Sequence, residues 1–158
     1  MKVINVLMFC MIVLACAPLF AQEQTSNSNM QILLDKVKAD KKLVVASNME
    51  LTEDEQKNFW PIYEAYQRDL QGINQRMGRA IAAYADAYNK NQLTDDMASK
   101  LTNEALAIDQ DEINLRKTYA SRLIKVLPAK KVARYLQIEN KIRAAIRYDL
   151  AVGIPLVQ

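Results

Sequence analysis

Histidine is absent from the chain, and its two cysteines, Cys10 and Cys16, both lie within the first 16 residues. Beyond Cys16 there is no thiol nucleophile, no disulfide, no Cys/His zinc site and no histidine base, which removes most familiar enzyme mechanisms. Glycine occurs 3 times and proline 4 times in 158 residues, too few of the breakers that sheet turns use. No charge of one sign dominates either. The balance of 21 basic and 18 acidic residues gives +3, too little by itself to imply an anionic partner.

What remains is a chain 51% hydrophobic and 25% charged, long enough for one core. Its first 21 residues form a segment of their own: Lys2 is followed by a nearly unbroken apolar run from Val3 to Leu14, and Pro18 breaks it. This is the pattern of an export signal cleaved after Ala21, with a periplasmic location. Val13-Leu14-Ala15-Cys16 offers a rival reading, a lipoprotein box with Cys16 acylated. The run is short for a membrane-spanning anchor. Residues 22–29 are small and polar, a flexible lead-in. The remainder, 30–158, reads as a single helical domain.

The longest signal runs from Leu51 to Tyr88. Phe59, Tyr63, Tyr66, Leu70, Ile73, Met77, Ala80 and Tyr84 alternate in steps of four and three, so they share one face of a helix. Thr52 and Glu55 form a capping box at its start. Pro61 predicts a kink inside it, since the stripe keeps its phase across the proline. A stripe this long needs other helices laid along it. Met30, Leu33, Leu34, Val37 and Val44 predict a first helix ending near Ser47, interrupted by Lys41. Residues 89–93 form a polar turn, and Thr94 opens a third helix with the stripe Met97, Leu101, Ala105, Ile108, Leu115, Tyr119, Leu123 and Val126. Leu106, Ile113 and Ile124 lie behind that stripe, so this helix has a face left for a second subunit. Leu127-Pro128 ends it, with Pro128 suited to the first turn of a fourth helix, which Val132, Tyr135, Leu136, Ile142, Ile146 and Leu150 mark and Gly153 and Pro155 stop. The expected fold is all-α: a long hairpin of helices two and three, packed with helices one and four and dimerising.

Three groups of residues are candidates for chemistry. Asp109, Asp111 and Glu112 cluster without the glycine turn of a calcium loop and read as a solvated face. Glu112 and Glu139 each fall inside an apolar stripe, so each needs a partner. Arg116 and Arg143, one turn on from them, are the expected ones. A deep pocket gathering either carboxylate with other polar groups would instead point to catalysis. Lys130, Lys131, Arg134, Lys141, Arg143 and Arg147 make the last helix basic, a solvated face or a surface for acidic protein segments or anionic lipid. Base-reading residues for nucleic acid are not evident. Trp60 points off the main stripe and is either covered by helix one or left as a partner contact.

The helix start Leu51-Thr52-Glu53-Asp54-Glu55-Gln56 resembles the Leu-Thr-x-x-Gln motif of the Spy/CpxP-like periplasmic proteins. Here Gln56 comes one place late, and the second expected copy, Leu127-Pro128-Ala129-Lys130-Lys131, has neither Thr nor Gln. The stretch from Leu127 to Ala144 also resembles the ends of secreted proteobacterial proteins. Membership in a divergent branch of that family implies a dimer of curved helical hairpins. Its basic, partly apolar concave side would hold unfolded proteins without ATP or any cofactor, under envelope stress. One branch of the family binds zinc, for which this chain lacks histidine. The leading expectation is therefore a non-enzymatic chaperone-like protein. The alternative is an adaptor for one envelope partner or an anionic membrane surface.

Overall fold

The computed structural model describes residues 40–157. The expected signal, the polar lead-in, Cys16 and the apolar residues Met30 to Val37 lie outside that range. Four helices follow one another: α1 over residues 40–49, α2 at Glu53–Asn89, α3 at Asp95–Leu123 and α4 at Ala129–Gly153. No described residue is in a strand, and no described helix is long and apolar enough to cross a membrane.

Helix α2 begins where its cap dictates. Thr52 accepts from the Glu55 amide, and the Glu55 carboxylate accepts from the Thr52 amide at 2.9 Å. Glu53, Asp54 and Glu55 add negative charge where the helix dipole is positive. The helix then runs unbroken through Pro61, whose ring removes one hydrogen bond from an otherwise continuous ladder. After the turn at Lys90 and Asn91, α3 is capped by Thr94 and returns along α2.

The α3–α4 junction differs from the sequence reading. Helix α3 stops at Leu123, because the amides of Val126 and Leu127 both turn back to the Leu123 carbonyl. Pro128 is the N-cap of α4, outside the first turn. The tight turn rotates the chain, so Leu127 enters the core while Val126 is left exposed.

Helix α1 lies antiparallel to α2 and α4. Lys42 meets Glu64 and Lys41 meets Gln67 and Glu139, while Glu50, at the opposite end of α1, meets Arg134. Its buried residues are Val45 and Met49, both 0% exposed. Val44, expected in the stripe, is only half-buried. The reading missed Val45 because two adjacent valines leave the phase of so short a stripe open.

The sealed core occupies one end of the bundle. Val45 and Met49 close over Phe59, Tyr63, Tyr66 and Leu70, with Tyr119, Leu123 and Leu127 on one side and Val132, Tyr135 and Ile142 on the other. The rings interlock edge to face: Phe59 to Tyr135 at 5.2 Å, Tyr66 to Tyr119 at 5.4 Å, Trp60 to Phe59 at 4.9 Å. Beyond Leu70 the same stripe continues as Ile73, Met77, Ala80, Ile81 and Tyr84, but these are only half-buried. Leu106, Ile113 and Ile124 on α3 are exposed.

This asymmetry has an energetic signature. Phe59→Ala leaves a cavity in a closed core and lowers stability by about 3–5 kcal/mol. Met77→Ala, on the same stripe but half in solvent, costs about 1 kcal/mol. Denaturant melts of the two variants check the difference.

Candidate functional site

The cations of α4 do not gather into one surface. Lys131 and Arg134 clasp the end of α1: Lys131 donates to the Glu50 carbonyl, Arg134 to the Asn48 carbonyl and to the Glu50 carboxylate at 2.9 Å. Glu50 has a positive φ of 50°, the left-handed turn that commonly ends a helix and costs a non-glycine residue some strain. Two positive groups on orphan carbonyls stabilise that end. Arg143 and Arg147 face α3 instead. Only Lys130 and Lys141 of the expected set are exposed without an ion pair among the described residues. Trp60 is half-buried, with the Lys42 ammonium of α1 5.1 Å from its ring centre, so α1 covers it.

Between α2, α3 and α4, with Lys41 of α1 in its wall, lies a chamber of about 180 Å³ lined by both Glu112 and Glu139 among mainly apolar side chains. Their partners are not the ones one turn along their own helices. Glu139, 6% exposed, accepts from Lys41 at 2.9 Å and from Gln67 at 3.1 Å. Glu112, 8% exposed, accepts from Arg143 at 2.9 Å and Arg147 at 3.0 Å. The interruption of the α1 stripe by Lys41 is thereby explained: it supplies the cation for Glu139. The acidic cluster is divided the same way rather than left as a solvated face. Asp109 pairs with Arg147, and Asp111 pairs with Arg76, which also grips Glu104 at 2.9 Å.

Each chamber carboxylate is thus held by two donors across helices, an arrangement that fixes register. No Ser, Thr, Cys or His is among the described residues lining the chamber. Nor do any three described His, Cys, Asp or Glu side chains gather as a metal site.

Burial, followed by the Glu139 carboxylate, pushes the Tyr63, Tyr66 and Tyr135 phenols well above their ordinary value of 10.0. The Tyr135 hydroxyl is fully buried and feels Glu139, but no hydrogen bond of ordinary geometry satisfies it. These rings are neutral structural groups at any physiological pH.

Adjoining the chamber is a second, larger recess at the hairpin tip, a trough of about 530 Å³ lined mainly by apolar atoms. Met77, Ala80, Ile81 and Tyr84 form its α2 wall, Leu101 and Ala105 its α3 wall, and Leu150 of α4 with Ile154 just past that helix the third. The Tyr84 hydroxyl donates to the Pro155 carbonyl at 2.9 Å and holds the chain end against the rim. The sequence reading placed these residues in stripes but not in a site. The available signal was local: small residues, Ala80 and Ala105, stand in the stripes where bulk is needed to close the gap.

The residues that carry the family resemblance have structural tasks. Thr52 caps α2, Gln56 donates to the Leu51 carbonyl at 3.2 Å, and Leu51 packs against the core.

Two outcomes are expected. Lys41→Met strands the buried Glu139 charge and destabilises by about 3 kcal/mol, whereas Lys41→Met combined with Glu139→Leu is near neutral, as denaturant melts will show. Unfolded phenols ionise near pH 10 while the three buried ones resist, so above pH 10 the folded state binds more protons than the unfolded one. Its stability is then full below pH 10 and falls as pH rises further. Tyrosinate absorbance and helical circular dichroism, followed together, will show these phenols titrating only as the helices melt.

No family model matches the chain, and no curated protein or solved structure matches it either.

Proposed function

We propose that this chain is an exported, non-catalytic holding protein that shelters apolar stretches of non-native polypeptide in the trough between the ends of α2, α3 and α4. The observation that carries the reading is the trough itself: an open, largely apolar recess of about 530 Å³ between three helices. Open apolar surface of this kind costs a soluble protein and is kept where something docks. The walls are rigid helices, so little ordering entropy is lost on binding. Methionine and alanine give them a shape that suits many side chains rather than one.

Lys130 and Lys141, exposed on α4 without an ion pair among the described residues, are available for acidic segments of the same clients. Nothing in the reading needs ATP, a metal or a cofactor. The carboxylates of the chamber are held in ion pairs, Glu139 by Lys41 and Glu112 by Arg143 and Arg147, which gives them a structural task. The Leu-Thr start of α2 and the expected signal in residues 1–21 agree with a periplasmic setting.

The test is suppression of client aggregation by protein lacking residues 1–21. Near-stoichiometric amounts should suppress light scattering by an unfolding client. Ile81→Asp with Leu101→Asp should weaken the effect about tenfold, because two charges would be desolvated in the trough. Lys130→Glu with Lys141→Glu should weaken it only for acidic clients. Full activity in the aspartate variant would overturn the reading, and one saturable complex with a single envelope protein would replace it with an adaptor.

A further inference from the structure

Three guanidinium groups, Arg116 of α3 with Arg143 and Arg147 of α4, border a recess of about 370 Å³ on the face where α3 meets α4. Asp109, Ile113 and Asn140 also line it. Asp109 and Arg116 stand two turns apart on α3, and Asn140 and Arg147 two turns apart on α4, so the recess is about 10 Å long. The pairing of Arg147 with Asp109 brings the two rows side by side.

The carboxylates at this recess already have their cations. Arg147 donates to Asp109 and Glu112, and Arg143 donates to Glu112 at 2.9 Å and to the Asn140 side-chain oxygen at 3.0 Å. Donors are left over. Arg147 spends only its Nη2 in these bonds, and Arg143 keeps its Nε. Arg116 pairs with no acid among the described residues. Charge is left over as well, since three guanidinium groups meet two carboxylates, Asp109 and Glu112. Arg116 and Arg143 are half-buried, so salt screens that surplus less than it would on open surface.

We propose that this recess binds the carboxylate of an acidic polypeptide segment, an aspartate or glutamate side chain seated on Arg116 with Arg143 and Arg147 beside it. A carboxylate only accepts hydrogen bonds, and the unspent groups of the three guanidiniums only donate them. Its two oxygens match the planar fork of Arg116, and its single charge balances the surplus. The buried Glu112 fixes Arg143 and Arg147 before a ligand arrives, so little ordering entropy is lost. A phosphate dianion would exceed the surplus, and a basic segment would be repelled. That the carboxylate belongs to a polypeptide rests on the holding function; the site itself does not, and it stands apart from the trough.

The test follows the arginine Nε–H signals by NMR in the isotope-labelled chain lacking residues 1–21, at constant ionic strength. The probes are N-acetylglutamate N-methylamide, its uncharged glutamine counterpart and inorganic phosphate. The glutamate compound should shift the Arg116 and Arg143 signals saturably, with a Kd on the order of 10 mM, the worth of one or two charge-assisted contacts. The glutamine compound should bind at least about tenfold more weakly. Arg116→Gln should weaken glutamate binding about tenfold, and Arg116→Lys should restore only part of it, because an ammonium keeps the charge but loses the fork. Helical circular dichroism confirms that both variants fold.

Absence of a saturable shift would overturn the proposal, as would equal binding of the glutamine compound or an Arg116→Gln variant that binds as before. Tighter binding of phosphate than of the glutamate compound would also overturn it and give the recess to phosphate instead. Suppression of client aggregation without glutamate binding would sink this inference alone. Glutamate binding without suppression would leave the site standing and sink the holding function alone.

Discussion

The constraint on which this structure rests is that the apolar stripe of α2 is longer than the sealed core laid over it. At 37 residues α2 is about 55 Å long, and its stripe runs nearly end to end. Ten described residues of α1, about 15 Å of helix, close over the stripe from Phe59 to Leu70. There aromatic rings interlock and the side chains lose nearly all contact with water. Further along, α2, α3 and α4 border the stripe with small side chains and leave a recess. One end of the molecule is a folding core and the other is an open apolar recess, both written in the same repeat.

Polar groups set where one regime gives way to the other. Lys41, Gln67 and Glu139 bind α1, α2 and α4 together just beyond the sealed core, and Glu112 with Arg143 and Arg147 binds α3 to α4 next to it. A buried carboxylate with no partner would be costly, so these groups tolerate only the one helix register that pairs them all. They act as a seam that holds the core closed on one side while permitting the groove on the other. The clasp of Lys131 and Arg134 on the end of α1 performs a similar task at the far end of that helix.

Much of the architecture was legible because it depends on local chemistry. The cap at Thr52 and Glu55, the continuity of α2 across Pro61, the Thr94 start of α3 and the antiparallel return all follow from residues within a few positions of one another. The stripes named most of the core, and the burial of Glu112 and Glu139 followed from their place in those stripes. The partners did not. Spacing along one helix made Arg116 and Arg143 the nearest cations, but an inward-pointing carboxylate faces neighbouring helices, so its cations come from α1 and α4. The same limit hid the fate of Lys131, Arg134, Arg143 and Arg147, which read as a free basic face and are occupied within the fold. Val45 was missed beside Val44, and the trough could not be seen because it is a gap between three helices rather than a property of any one.

Amide hydrogen exchange along α2 tests the central claim most directly, because a single helix passes from the sealed core to the open groove. Exchange of a stable core proceeds only through global opening, whereas a thinly covered segment opens locally at lower cost. The amides from Phe59 to Leu70 should exchange at least about a hundredfold more slowly than those from Ile73 to Tyr84, corresponding to a difference of roughly 3 kcal/mol in opening free energy. Uniform protection from Phe59 to Tyr84 would show that the distal stripe is closed as firmly as the proximal one, and would contradict the account.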